Sequence, residues 1–131
     1  MGKKIFIIED DANLLYGLRA KFSILGFDVQ VNSGNVSTEE TINSLKKYRP
    51  DFVILDLILP KINGFDILKK IKEDRETAGM LVFIFSNLSD QDSKSKGLDL
   101  GVKYYFIKEE FSIDEFVERV VKIVKNEDRI K

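Results

Sequence analysis

Five short apolar runs recur along the chain: KIFII (4–8), FDVQVN (27–32), DFVILD (51–56), MLVFIFS (80–86) and VKYYFIK (102–108). A polar or amphipathic stretch follows each, and this alternation constrains the fold more than any other feature. Runs of this length, rich in Ile, Val and Phe, predict strands. The third run is continuous rather than alternating, as expected of a parallel strand covered on both faces. FDVQVN alternates and predicts a partly exposed strand. Between the runs, Leu15, Leu18, Phe22 and Leu25 recur at three-to-four spacing and predict a helix over 12–25 that Gly26 stops. SGNVST (33–38) is a polar loop, in which Ser37 or Thr38 ahead of Glu39 and Glu40 offers an N-cap to a helix ending near Tyr48. After the loop LPKING, Phe65, Leu68 and Ile71 space a third helix. SDQDSKSKGLDLG is polar and predicts a weak helix at best. Ile113, Phe116, Val117, Val120, Val121 and Val124 mark a strongly amphipathic last helix, expected to fray into a charged tail over 126–131.

Strand–helix alternation without repeat, linker or compositional break predicts an α/β fold. The expected architecture is a (βα)5 doubly wound parallel sheet in a single domain over 1–131, with its core over about 3–125. In such sheets ligands bind beyond the carboxyl ends of the strands. The functional question therefore turns on the residues at those ends.

Composition removes several answers. The chain of 131 residues contains no cysteine, which excludes disulfides, thiol catalysis and thiolate metal sites. It contains no histidine, which removes the commonest general base and transition-metal ligand. Lys plus Arg (21) nearly balance Asp plus Glu (22), so no overall charge calls for nucleic acid or an acidic membrane as a direct partner. No apolar run approaches the roughly 20 residues of a membrane span. The start, MGKKIFIIEDD, has too few apolar residues for a signal peptide. A cytoplasmic location is the expectation.

At the strand ends stand Glu9-Asp10-Asp11, Asp56, Ser86 and Lys108. A parallel sheet brings these to one rim. Clustered carboxylates raise one another's pKa unless a cation offsets them. Oxygen-only ligands point to Mg²⁺, with Mn²⁺ as a substitute. A remaining carboxylate oxygen is then free to attack phosphorus, and a lysine and a hydroxyl are suited to neutralising the phosphoryl charge.

Four motifs in order, FIIEDD, PDFVILDLILPKINGFDIL, FIFSN and YYFIK, resemble those of the receiver domain of two-component response regulators over roughly 3–125. The resemblance implies a flavodoxin-like strand order 2-1-3-4-5. It makes Asp56 the phosphoacceptor, Asp10 the direct metal ligand, Glu9 a ligand mainly through water and the Ile58 carbonyl the last protein donor. It makes Lys108 and Ser86 the stabilisers of the phosphoryl group, with Ser86 and Tyr105 moving together as a switch. Pro60 and Gly64 match the turn after the phosphorylated strand, and Asp11 is either a bystander or a helix-start charge. Such a protein is not a conventional enzyme: it is a phosphoacceptor that catalyses its own phosphorylation and dephosphorylation. Its implied partners are a histidine kinase or phosphotransfer protein and a downstream protein target on the face of the fourth helix, fifth strand and fifth helix. A homodimer formed on phosphorylation is a further expectation.

Four features depart from the family pattern. Glu109 follows Lys108 where most members carry a proline joined by a cis peptide, which predicts a different loop there. Asn87 replaces a small residue and is expected to narrow access to Asp56. SGNVST is a few residues longer than usual. Ile58 and Leu88, at positions that tune hydrolysis, are both apolar and orient no water, which predicts a long-lived phosphoryl state. Two rivals share parts of the pattern. A phosphatase of the haloacid dehalogenase type needs a second acid two residues after the nucleophile, where this chain has Ile58. A pseudo-receiver, a docking module that takes no phosphoryl group, is the second. A dinucleotide-binding domain would need a glycine-rich turn after the first strand, and EDDANL has none.

Overall fold

The computed structural model describes residues 3–130, with side chains through residue 128. Strands β1 (Lys4–Ile8), β2 (Asp28–Asn32), β3 (Phe52–Leu55), β4 (Leu81–Ser86) and β5 (Tyr104–Ile107) form one parallel sheet in the order β2-β1-β3-β4-β5. Helices α1 (Ala12–Ile24), α2 (Thr38–Tyr48), α3 (Gly64–Glu73), α4 (Gln91–Asp99) and α5 (Ile113–Ile130) alternate with them, and the short 3-10 turn η1 (Lys108–Glu110) precedes α5. The expected doubly wound (βα)5 fold and its strand order are therefore present.

The two-residue period of the strands divides the core in two. Ile5, Ile7, Phe52, Ile54, Phe83 and Phe85 face α1 and α5, where they meet Leu15, Leu18, Phe22, Phe116, Val120 and Val124. Phe6, Ile8, Val53, Leu55, Val82 and Ile84 face the other way, toward Ile42 and Leu45 of α2 and Ile67, Leu68 and Ile71 of α3. This explains why the central runs are continuous: every residue of β3 is buried. Edge strand β2 alternates between exposed and half-buried, as its pattern predicts.

Side-chain caps set the helix starts. Ser37 Oγ accepts the Glu40 N–H (3.0 Å), and Glu40 Oε1 accepts the Ser37 hydroxyl (3.2 Å), so α2 opens on a reciprocal capping pair. Asp11 Oδ1 accepts from Leu14 N (3.2 Å) and starts α1.

Two elements exceed what their sequence predicts. The polar segment expected to be weak carries a nine-residue α4, capped by Asp90, whose Oδ2 accepts from Ser93 N (3.0 Å). Its hold on the body is slight, since Gly97 is the one buried residue of the helix. The last helix runs beyond its expected core end near residue 125: α5 continues to Ile130. Tyr104 donates to Glu127 Oε2 (2.8 Å) and Lys3 Nζ pairs with Asp128 (2.9 Å), which ties a polar turn to the sheet where no apolar stripe remains.

Candidate functional site

The carboxyl ends of β1, β3, β4 and β5 converge because the ladder continues one step past the strands. Glu9 N–H donates to the Asn32 carbonyl (3.0 Å), and Asp56 N–H donates to the Ile8 carbonyl (3.0 Å). These bonds fix the backbones of Glu9 and Asp56 although both lie beyond the last apolar residue. One carboxylate oxygen from each of Glu9, Asp10 and Asp56 lies within 4.8 Å of the others. Glu9 and Asp56 are buried, at 2% and 3% exposure, while Asp10 is exposed.

Lys108 stands between the two buried acids. Its ammonium donates to Asp56 Oδ2 (2.7 Å) and reaches Glu9 Oε1 (2.8 Å). The remaining oxygens are satisfied by backbone: Asp56 Oδ1 accepts from Ile58 N (3.1 Å), and Glu9 Oε2 accepts from Asp11 N (3.0 Å). Among the described residues, no buried side-chain nitrogen or oxygen lacks a partner.

Two buried carboxylates share one ammonium, so the site is short of positive charge. Burial is the chief cause pushing the Glu9 carboxyl up to about 7, opposed by the hydrogen bond from Lys108 and assisted by the charge of Asp56. Burial also works to lower the Lys108 pKa, but the hydrogen bonds and charges of Asp56 and Glu9 prevail and hold it above its ordinary value. An exposed acid beside two buried ones, with an all-oxygen donor set, fits a hard divalent cation that keeps part of its water shell.

The remaining pieces follow one another along the chain. Ser86 ends β4 fully buried, and its Oγ accepts from Leu88 N (3.3 Å). The Leu88 carbonyl in turn accepts the Tyr105 hydroxyl. Between them, Asn87 Oδ1 accepts the N–H of Glu109 (3.0 Å). Gly64 closes the turn after β3, where an added Cβ would sit 2.4 Å from Leu57 Cα and 2.6 Å from the Asp56 carbonyl oxygen. No side chain fits there without moving the backbone that carries Asp56.

The family model described as response regulator receiver domain matches residues 5–121. The chain belongs to the response regulator receiver family. As a receiver it is 30% identical over 127 residues to the DNA-binding dual master transcriptional regulator RpaA of Synechocystis sp., covering 97% of this chain and 51% of RpaA. It is 33% identical over 128 residues to the response regulator ArlR of Staphylococcus aureus, covering 95% of this chain and 53% of ArlR. The receiver thus spans about half the length of these curated relatives. In structure it matches the CheY-like receiver domain protein of Methanospirillum hungatei with TM-score 0.85 over 100% of both chains at 18% identity, a likeness of fold. The response regulator DrrB of Thermotoga maritima aligns with TM-score 0.78 and 30% identity, covering 97% of this chain and 54% of DrrB.

The departures from the receiver pattern have structural counterparts. No cis peptide bond occurs among the described residues, and Lys108 instead opens the η1 turn. Asn87 and Glu109, which look like separate oddities in sequence, are bonded to each other. The loop after β2 is ordered by Asn32, whose Oδ1 accepts from Gly34 N (2.7 Å). Gly34 holds φ +78 with its backbone pressed on Leu59, where a Cβ would meet Cδ2 at 2.8 Å. Ile58 stays 53% exposed and lines a cleft with Leu88. Sequence reasoning missed the Leu88 carbonyl and the Asn87 amide as linking groups. Each joins partners 17 or 22 residues apart, so no local spacing announces them.

A pH dependence follows from Glu9. Its folded pKa, about 7, lies above its ordinary 4.5, so its contribution to stability is fully present below 4.5. That contribution is lost as pH rises through about 7. Such a shift is worth at most about 3 kcal/mol. Thermal unfolding of the metal-free protein between pH 5 and pH 8 is expected to show a falling Tm. Saturating Mg²⁺, which favours the carboxylate form, is expected to abolish the fall. A Tm that rises over this range without metal would contradict the assignment. Asp74, Asp90 and Glu115, whose pKa values are lowered, act in the opposite sense but only at lower pH.

Proposed function

We propose that this receiver accepts a phosphoryl group on Asp56 from the phosphohistidine of a kinase or phosphotransfer protein. The observation that carries the reading is Asp56 buried at the rim with Lys108 Nζ at 2.7 Å and an acidic pair beside it. Asp10 and Glu9, with Asp56, would hold Mg²⁺ (or Mn²⁺), and the Ile58 carbonyl is the remaining protein donor. When bound, the metal supplies positive charge to the phosphoryl oxygens. The carboxylate of Asp56 attacks phosphorus; the P–N bond of the donor breaks and its electron pair leaves with the imidazole. Lys108 neutralises charge on the transferred group, and the Ser86 hydroxyl donates to it. The chain catalyses this transfer, and the later hydrolysis, on itself.

Once Ser86 turns toward the phosphoryl group, its Oγ is drawn from Leu88 N. The Leu88 carbonyl carries that movement to Tyr105, whose ring lies against Gly97 of α4. A helix with one buried residue shifts at low cost, so α4, β5 and α5 form the face offered to a downstream protein or a second copy. RpaA and ArlR, as named regulators, support a role in signalling, here through protein contact in the cytoplasm. The apolar pair Ile58 and Leu88 orients no attacking water, which supports a slowly hydrolysed phosphoryl state. The lack of an acid at position 58 speaks against the phosphatase reading.

Incubation with acetyl phosphate and Mg²⁺ tests the proposal. One acid-stable, base-labile phosphoryl adduct is expected by mass spectrometry, on the peptide containing Asp56, with slow loss in Mg²⁺ buffer. No adduct would leave the pseudo-receiver reading, and rapid loss would refute the slow hydrolysis.

A further inference from the structure

The group that must reach Asp56 is the Lys108 ammonium, yet Lys108 stands at the start of a three-residue 3-10 turn. Such a turn is poorly held by itself. The first N–H groups of any helix have no partner inside it, and η1 has no side-chain cap from its own preceding residue, Ile107. Its internal support is the bond from Phe111 N to the Lys108 carbonyl (3.2 Å). None of the three η1 residues is buried. Local sequence therefore gives Lys108 little reason to keep one backbone direction.

The missing cap arrives from another strand. Asn87, immediately after β4, presents Oδ1 to the Glu109 N–H at 3.0 Å. That N–H belongs to the peptide unit joining Lys108 to Glu109, so the bond fixes the backbone from which the Lys108 side chain leaves. Asn87 is exposed and its neighbour Ser86 is fully buried at the end of β4, so the amide is anchored to the sheet on its own side. On the far side lies a lysine whose nitrogen bridges Asp56 and Glu9 at 2.7 and 2.8 Å.

We infer that Asn87 is a positioning residue for phosphoryl transfer: its side-chain carbonyl caps the Glu109 N–H and thereby aims Lys108 at Asp56. This rests on the phosphoacceptor reading of the site and adds a residue to it. Asn87 touches neither the acids nor the transferred group in this role, so its effect must pass entirely through Lys108.

That requirement gives the test, a double-mutant cycle on the rate of phosphorylation by acetyl phosphate in Mg²⁺. Asn87→Ala is expected to slow the reaction about fivefold, in keeping with one solvent-accessible hydrogen bond. The same substitution made on Lys108→Ala is expected to change the rate less than about twofold, because the group it positions is gone. Amide exchange at Glu109 is expected to quicken in Asn87→Ala and to stay slow in Asn87→Asp, which keeps the accepting oxygen. An equal loss of rate in both backgrounds would overturn the inference, since Asn87 would then act on access or on general stability. Unchanged exchange at Glu109 in Asn87→Ala would overturn it also. Absence of any adduct in the unaltered protein would instead strike the phosphoacceptor reading, and the inference with it.

Discussion

Asp56→Asn is expected to abolish phosphorylation while leaving the receiver folded. The side chains are nearly isosteric, and an amide oxygen still accepts the Ile58 N–H now held by Asp56 Oδ1 at 3.1 Å. What disappears is the anionic oxygen able to attack phosphorus, for which a neutral amide is no substitute. Removing one partner of a buried ion pair usually costs about 3–5 kcal/mol, because the other charge is stranded. Here Lys108 keeps Glu9 at 2.8 Å, so no charge is orphaned. One buried carboxylate and one ammonium are then left to pair, and a source of the upward push on the Glu9 pKa is gone. The metal-free variant should therefore unfold within a few degrees of the parent, or above it. Mass spectrometry after acetyl phosphate treatment, with thermal unfolding alongside, checks both parts. A residual adduct on another residue would show that Asp56 is not the sole acceptor.

Lys108→Ala is expected to cut the phosphorylation rate by about 10²–10³, the usual loss for removing one preorganised charge partner at the reacting group. Stability should fall as well, for the opposite reason to the first case. Among the described residues Lys108 is the one ammonium that contacts both acids, and without it Glu9 and Asp56 are two buried carboxylates facing each other. The Glu9 carboxyl, already pushed up by burial, then loses the hydrogen bond and charge that hold it down. The expected signature is a Tm depressed at neutral pH, recovered partly by acidification and more fully by Mg²⁺. Initial rates and unfolding curves with and without the metal read this out. A variant that loses rate but no stability would mean that Lys108 serves the transition state alone.

These two substitutions differ in outcome because of tertiary placement, and that is also where the sequence stopped being informative. The continuous runs around Phe52–Leu55 and Leu81–Ser86 determined buried parallel strands, since only a sheet covered on both faces accommodates apolar residues at every position. The acids after β1 and β3, the serine that ends β4 and the lysine after β5 could be assigned to one rim, because parallel strands all end at the same side. The resemblance carried by the motifs supplied roles for them.

Other features were decided only by the folded chain. α4 and the last turn of α5 carry almost no apolar periodicity and are held by a cap at Asp90, by Tyr104 on Glu127 and by Lys3 on Asp128. Hydrogen bonds between distant residues leave no period in the sequence to read. The same is true of Asn87 and Glu109, which depart from the family pattern separately in sequence and meet across β4 and β5 in space. The sharing of Lys108 between Glu9 and Asp56 is a matter of ångströms and of burial. The order of strands and charged residues along the chain was enough to say which residues gather at the rim. Tertiary structure decided which of them touch, because desolvation and a few directional bonds set the charge and aim of each group there.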